Sequence, residues 1–331
     1  MQYAPEASFG VDLPTTRLFL GDVEWNEELE FYRDMTPRGI AATPGGVGII
    51  THRGTTLKLG GNIGCQYIML PLLSGLRNVA SPTGAGADKT WTFARSSLAV
   101  SNPTLDSFTF EKVESDGTTN HIAVACHAAM CTRLGIQVAK GEPMKWNSDW
   151  FARATLVETL TAAITAQANH DASMIMAESV KVYLDTTYAG IGTTQLVGVV
   201  VSADLDLAFA TKQVQTIDGT TNLDYVTYKN ETLGGTFKLT MELNAVSAAL
   251  ITSWRANTAQ YFRIKGTGAA LGASNYSVQF DFAARYTGSY GISADGENVI
   301  VSLDMELIYD TTGAQIVTAV VVNDLAARAN L

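Results

Sequence analysis

Apolar and polar residues alternate strictly in the segment LGGTFKLTMELN, residues 233–244. Phe237, Leu239, Met241 and Leu243 fall on one side, and Lys238, Thr240, Glu242 and Asn244 on the other. Side chains of a strand point to opposite faces with period two, whereas a helix needs apolar spacings of three and four. The segment is therefore a strand with one dry and one wet face. The same pattern returns in TWTFARS (Trp91, Phe93), in DSFTFEKVE (Phe108, Phe110) and in RLGIQVAKG (Leu134, Ile136, Val138). Further on it places Leu205, Leu207 and Phe209 on one face, then Tyr276, Val278, Phe280 and Phe282. In ENVIVSLDMELIYD, Val299, Val301, Leu303, Met305 and Leu307 alternate with Ser302, Asp304 and Glu306. HIAVACHAAM puts Ile122, Val124 and Cys126 on one face, and AQIVTAVVVN reads as a final strand. So many two-faced strands predict a mainly β protein.

Helical spacing is confined to a few places. CQYIMLPLLSGL is apolar all round and predicts a short buried helix broken by Pro71. AVSAALITSWRAN predicts a helix capped by Asn244, with Val246, Leu250 and Trp254 on one stripe. Leu156, Leu160 and Ile164 recur at helical spacing, so residues 154–184 are expected to form a helical linker region. TPRGIAATPGGVGIITHRGTT, rich in Gly, Pro and Thr, reads as a long exposed loop or ribbon, and DGTTN (116–120) as a turn. The halves on either side of the linker share a plan: a polar lead-in, LGG (59–61 and 233–235), one helix, then alternating strands. Two tandem antiparallel β-sandwich or barrel domains are expected, 1–165 and 166–331, each with a flanking α-helix and long loops.

The 331 residues are 47 % hydrophobic and only 16 % charged, so much of the outer surface is expected to be hidden against other subunits. Net charge is −10 and no basic run occurs, which excludes a nucleic-acid grip. Three cysteines (Cys65, Cys126, Cys131) argue against a disulfide framework and fit a reducing compartment. The N-terminal MQYAPEASFGVDLPTT lacks a basic and an apolar region, so no signal peptide is expected. No apolar stretch approaches a membrane span, and no membrane partner is expected.

Reactive constellations are equally scarce. GAGADKT (84–90) lacks the spacing of a phosphate loop and reads as a turn. Cys126, His127 and Cys131 lie on an alternating strand that would send the two thiols to opposite faces, so they read as structural thiols rather than zinc ligands. His52, His121, His127 and His170 sit beside no nucleophile elbow. Paired carboxylates, Asp204 with Asp206 and Asp304 with Glu306, would suit a glycosidase but fall on wet strand faces. The sequons at Asn230 and Asn275 carry no meaning without a secretory route. No catalytic residue, cofactor or metal is assigned.

Three stretches resemble the major tail protein family of phages with long, non-contractile tails. They are residues 90–143 from TWTFARS to GEP, then YLDTTYAGIGTTQLVGVVVSADLDL, and then YFRIKGTGAALGASNYSVQFDFAARY with VIVSLDMELIYD. The resemblance spans most of residues 90–310 and lies in strand and turn patterns, not reactive signatures. It implies a tail-tube fold: antiparallel sandwiches with a flanking helix and a long loop, whose edges join between subunits to close a barrel around a lumen. It further implies a virion protein made in the host bacterial cytoplasm. Its partners would be its own copies, as a ring trimer with pseudo-sixfold symmetry stacked into a tube, together with a tape-measure protein and tail-end proteins. DNA would pass through without specific binding. The wet-face acids Asp204, Asp206, Glu242, Asp281, Asp304 and Glu306 are the candidates to line an acidic lumen that repels phosphate. The alternative is another β-rich virion protein, such as a capsid decoration or baseplate component.

Overall fold

The computed structural model describes residues 1–11, 14–32, 49–76, 81–84, 86–94, 105–116, 121–157, 161, 165–166, 174–216, 224–296, 298–328 and 331. The first elements are β1 (Gln2–Pro5), β2 (Arg17–Leu18), β3 (Asp22–Tyr32), β4 (Ile49–Asn62), α1 (Met69–Gly75) and β5 (Lys89–Ala94). They are followed by β6 (Phe108–Ser115), β7 (His121–Ala139), β8 (Lys145–Ala152), β9 (Leu156–Val157) and β10 (Thr165–Ala166). Next come β11 (Val180–Asp185), β12 (Val200–Ala208), β13 (Thr211–Val214), β14 (Thr227–Asn230), β15 (Gly234–Glu242) and α2 (Ala245–Arg255). The chain closes with β16 (Gln260–Leu271), β17 (Ser274–Tyr286), β18 (Gly291–Asp295), β19 (Asn298–Ile308) and β20 (Val317–Asn323).

Eight strands make one long antiparallel sheet in the order β3-β4-β8-β7-β12-β15-β19-β18. A second sheet, β11-β16-β17-β20-β5, packs on its second-half end. There Phe237 of β15 meets Phe262 and Phe282 of the second sheet, with ring centroids 4.9 and 5.0 Å apart. A smaller sheet, β2-β1-β6 with the N-terminal part of β7, covers the first-half end. Its Phe108 and Phe110 meet Trp150 of β8 edge-on at 5.8 and 5.5 Å. Edge-to-face rings of this kind hold stacked sheets together beyond the area they bury.

β7 serves both layers because it bends. Its register against β6 shifts between Phe108 and Phe110, and Ala128 there adopts a left-handed φ of 55°. A β-bulge of this kind inserts one residue and re-aims the strand. Glu6 pins it: the Ala128 N–H donates to Glu6 Oε1 (2.6 Å), and Ser107 Oγ and the Gly10 N–H donate to Oε2 at 2.5 and 2.8 Å. The bulge also corrects the expectation for the thiols. Cys126 and Cys131 are both fully buried rather than on opposite faces, because the extra residue between them breaks the period-two count.

Several other expectations change. The described residues of 154–184 do not form the expected helical linker. Among the described ones β9 pairs with β7, β10 with β2, and only a 3-10 turn at Ala177–Ser179 precedes β11. Of the residues that carry the helical spacing, Leu156 pairs with Ala125 as a strand, and Leu160 and Ile164 lie outside the described residues. α1 is not a flanking helix, since all seven of its residues are buried. Nor does Pro71 break it. Pro71 stands in the first turn, where a missing N–H removes no intrahelical bond. Leu243, Val299, Ile122 and Val246, expected inside, are exposed because they lie beyond the covered part of their elements. The two LGG segments are not equivalent either: 59–61 lies near the end of β4, and 234–235 opens β15.

The remaining helix agrees with its sequence. Asn244 Oδ1 accepts from the Val246 and Ser247 N–H groups (2.9 and 3.1 Å), and Ser247 Oγ accepts from the Asn244 N–H. That is a reciprocal capping box. Leu250 is buried, and Trp254 Nε1 donates to the Gly288 carbonyl at 2.8 Å. Of the expected loop or ribbon at 36–56, residues 49–56 form the start of β4, paired with β3, and residues 36–48 lie outside the described residues. Of the expected turn at 116–120, residues 117–120 also lie outside.

The expected boundary at 165/166 falls inside β10, and sheet and core both cross it. β7 and β12 pair over seven positions, from Ser202 with Ala139 to Ala208 with Arg133. A single cluster of buried side chains runs from Tyr3 through Trp150 to Leu331.

Candidate functional site

The polar side of the long sheet collects most of the singled-out acids. Cross-strand register sets them in rows. One row runs Lys145, Gln137, Asp204, Lys238 and Asp304 across five strands. The next runs Asn147, Gly135, Asp206, Thr236, Glu306 and Arg285. Glu242 lies on the same face farther along β15, where Asn298 Nδ2 donates to it at 3.4 Å. Asp281 stands apart. It belongs to β17 in the second sheet, where Arg263 Nε and a terminal nitrogen donate to its two oxygens at 2.7 and 2.8 Å. Five of the six acids therefore share a face, and the sixth is locked in an ion pair elsewhere.

Sequence reading singled out the acids and missed the bases between them. Arg133 Nε donates to both oxygens of Asp206 at 2.9 Å, and a second guanidinium nitrogen lies 2.8 Å from Asp206 Oδ2. A third reaches Asp149 Oδ2 at 3.4 Å. The Asp206 hydrogen bond holds this guanidinium still more firmly protonated. Lys58 Nζ donates to Glu24 at 3.0 Å, and the pair shifts both groups toward their charged forms. Burial pushes the Asp204 carboxyl up, with Lys238 opposing. Lys238 was visible in the opening alternation as a wet-face residue; nothing in the sequence placed it between Asp204 and Asp304.

Two shallow depressions lie side by side here. One of about 350 Å³ is lined by Arg133, Asp204, Asp206, Lys238 and Asp304. The other, about 510 Å³, lies over Lys58, Gly60, Gly61 and Lys145. They share Gln137 and Asn147. Part of their floor is bare backbone, required at Gly60 by fixed main chain, whereas at Gly135 the Asn147 side chain would have to move aside. A Cβ on Gly135 would fall 2.7 Å from the Asn147 side-chain oxygen, and one on Gly60 2.9 Å from the Trp146 carbonyl oxygen. Open, polar hollows of this kind lack the enclosed apolar walls of small-molecule sites. What the face offers is a broad, wet, charge-patterned surface.

Two other candidates are engaged in local contacts. Lys89 of the turn at 84–90 donates to the Gly84 carbonyl at 2.7 Å. Burial raises the Cys131 thiol well above its ordinary range, and Cys131 Sγ donates to the Arg133 carbonyl. Among the described residues, no three His, Cys, Asp or Glu side chains come together as a metal ligand set, and no helix is long and apolar enough to cross a membrane. A scan against protein-family models gives no match, and a search of curated proteins gives none either.

Proposed function

We propose that the chain is a structural subunit of a phage tail tube, which joins copies of itself edge to edge and stacks as rings around a conduit for DNA. One observation carries it. The halves of the long sheet repeat the same plan, β3-β4-β8-β7 and then β12-β15-β19-β18. In each, the first two strands in chain order are followed in space by the last and then the one before it. In each, a helix follows the second strand: α1 after β4, α2 after β15. Such a repeat supports a tandem duplication far better than the displaced LGG segments do.

The halves meet through the antiparallel ladder between β7 and β12. Their outer counterparts, β18 and β3, each have one strand neighbour among the described residues. Every residue of β18 is exposed, and Ile292 is 57 % accessible. Unpaired edges invite strand addition, and a monomer normally protects them. Because they are the two ends of an eight-stranded antiparallel sheet, β3 and β18 run in opposite directions. β3 of a second copy can therefore add to β18 just as β12 adds to β7.

Three chains joined this way would carry six similar half-sheets and twenty-four strands. At a spacing of ~4.8 Å and a tilt of ~40°, such a barrel is ~50 Å across its backbone. That leaves an aqueous lumen into which the polar face would point. A tape-measure protein inside, tail-end proteins at the termini and a place in the virion tail follow from the same reading, with no catalytic step. Electron microscopy of the purified protein is the test. The expected result is stacked rings of three chains with pseudo-sixfold modulation and the polar face inward. Chains that stay single at high concentration, or rings with β3 and β18 both outside the wall, would overturn it.

A further inference from the structure

We propose that the polar face of the long sheet rejects polyanions by pairing its cations with carboxylates, and that Asp204 and Asp206 keep Arg133 and Lys238 from gripping phosphate. Only the arrival of duplex DNA at this face is borrowed from the tube reading; the pairing itself is independent of assembly.

A net charge of −10 spread over the chain is a weak guard at contact range. At physiological salt, charges more than ~8 Å apart are largely screened from one another. A duplex close to the surface therefore meets individual side chains, and one free Arg or Lys would make a charge-assisted contact. The face contains such cations, and each stands against an acid. The Arg133 fork is the strongest case. Carboxylate and phosphate compete for the same planar donors, and Asp206 already occupies them at 2.8–2.9 Å, with Asp149 at 3.4 Å. Lys238 stands opposite Asp204 on one neighbouring strand and Asp304 on the other. Asp204 and Asp206 both belong to β12 and face these two cations. Neutralising them would leave Arg133 and Lys238 half-released on a floor that glycine backbone keeps open.

The test compares variants of equal net charge in retention of linear duplex DNA by the isolated protein. D204N/D206N removes the guards. E27Q/E178Q removes two exposed acids elsewhere: Glu27 on the opposite side of β3, and Glu178 before β11. Wild type and E27Q/E178Q should leave DNA free at ~50 mM salt, while D204N/D206N should bind at least about tenfold tighter. Two released cations should give a slope of log K against log salt of about −1.8, at about −0.9 per phosphate contact. Adding R133Q/K238Q to D204N/D206N should return binding to wild type. D304N, which changes an exposed residue on β19, provides a second arm if D204N/D206N melts early; with Asp204 still in place it should half-release Lys238 alone and give a measurable but shallower salt slope. Equal binding by both double variants would assign the rejection to net charge and overturn the proposal, as would no binding by D204N/D206N and D304N. Tube formation is read separately by microscopy, so the two ideas fail independently.

Discussion

Replacing Asp106 by Asn should make the protein more stable at neutral pH and flatten part of its pH dependence. Asp106 lies just before β6 with its side chain 8 % exposed, paired with Arg328 at 2.5 Å. Burial pushes its carboxyl up from 3.8 to about 6, with Arg328 pulling the other way. A folded-state pKa above the unfolded one means that the native chain binds more protons between those two values. Stability from this group is therefore fully present below pH ~4, falls as pH rises toward ~6, and is constant above. A shift of about two units is worth ~3 kcal/mol at most, at ~1.4 kcal/mol per unit. Urea unfolding of wild type and D106N at several pH values between 4 and 7.5 isolates the term, since all other carboxylates titrate in both. The wild-type midpoint should drop relative to D106N across that window by an amount worth up to ~3 kcal/mol. R328Q, which removes the opposing charge, should steepen the drop. Parallel curves for wild type and D106N, or a gap that opens the other way, would refute the idea that burial dominates over the Arg328 pair.

Glu6→Ala should cost ~3 kcal/mol or more in denaturant unfolding, because it removes the acceptor of the buried donors at Ser107 and Ala128 and of the half-buried Gly10 N–H; a loss under ~1 kcal/mol would mean that the β7 bulge holds without it. Asn244→Ala should cost ~1 kcal/mol by removing the acceptor at the start of α2, read as a lowered melting temperature. Ile292→Lys should leave monomer stability within ~0.5 kcal/mol, since the residue is 57 % exposed, yet abolish ring formation by placing a charge in the β18 edge. Rings that form normally from this variant in micrographs would remove β18 from the joint.

Local alternation determined by itself that this chain is mainly β. Its dry faces were readable residue by residue: Phe237, Leu239 and Met241, or Tyr276, Val278, Phe280 and Phe282, are buried as their period requires. Period two is a property of the extended backbone, so it survives whatever the strands pair with. The Asn244 cap was legible for the same reason, because its hydrogen bonds close within three residues. What needed the tertiary structure was everything decided by partners distant in sequence. Leu156 carries the spacing of a helix, yet it pairs with Ala125 as a strand, because a ladder at hand outweighs a weak local preference. Cys126 and Cys131 share the interior because a bulge set by Glu6, more than a hundred residues upstream, shifts the count. Asp204 and Asp206 could be named as wet-face acids from sequence, but not as the partners of Lys238 and Arg133, and Asp281 could not be told from them. Register between strands is fixed by long-range pairing and not by composition. For that reason, the joining of the two halves into one long sheet is written nowhere in either half alone.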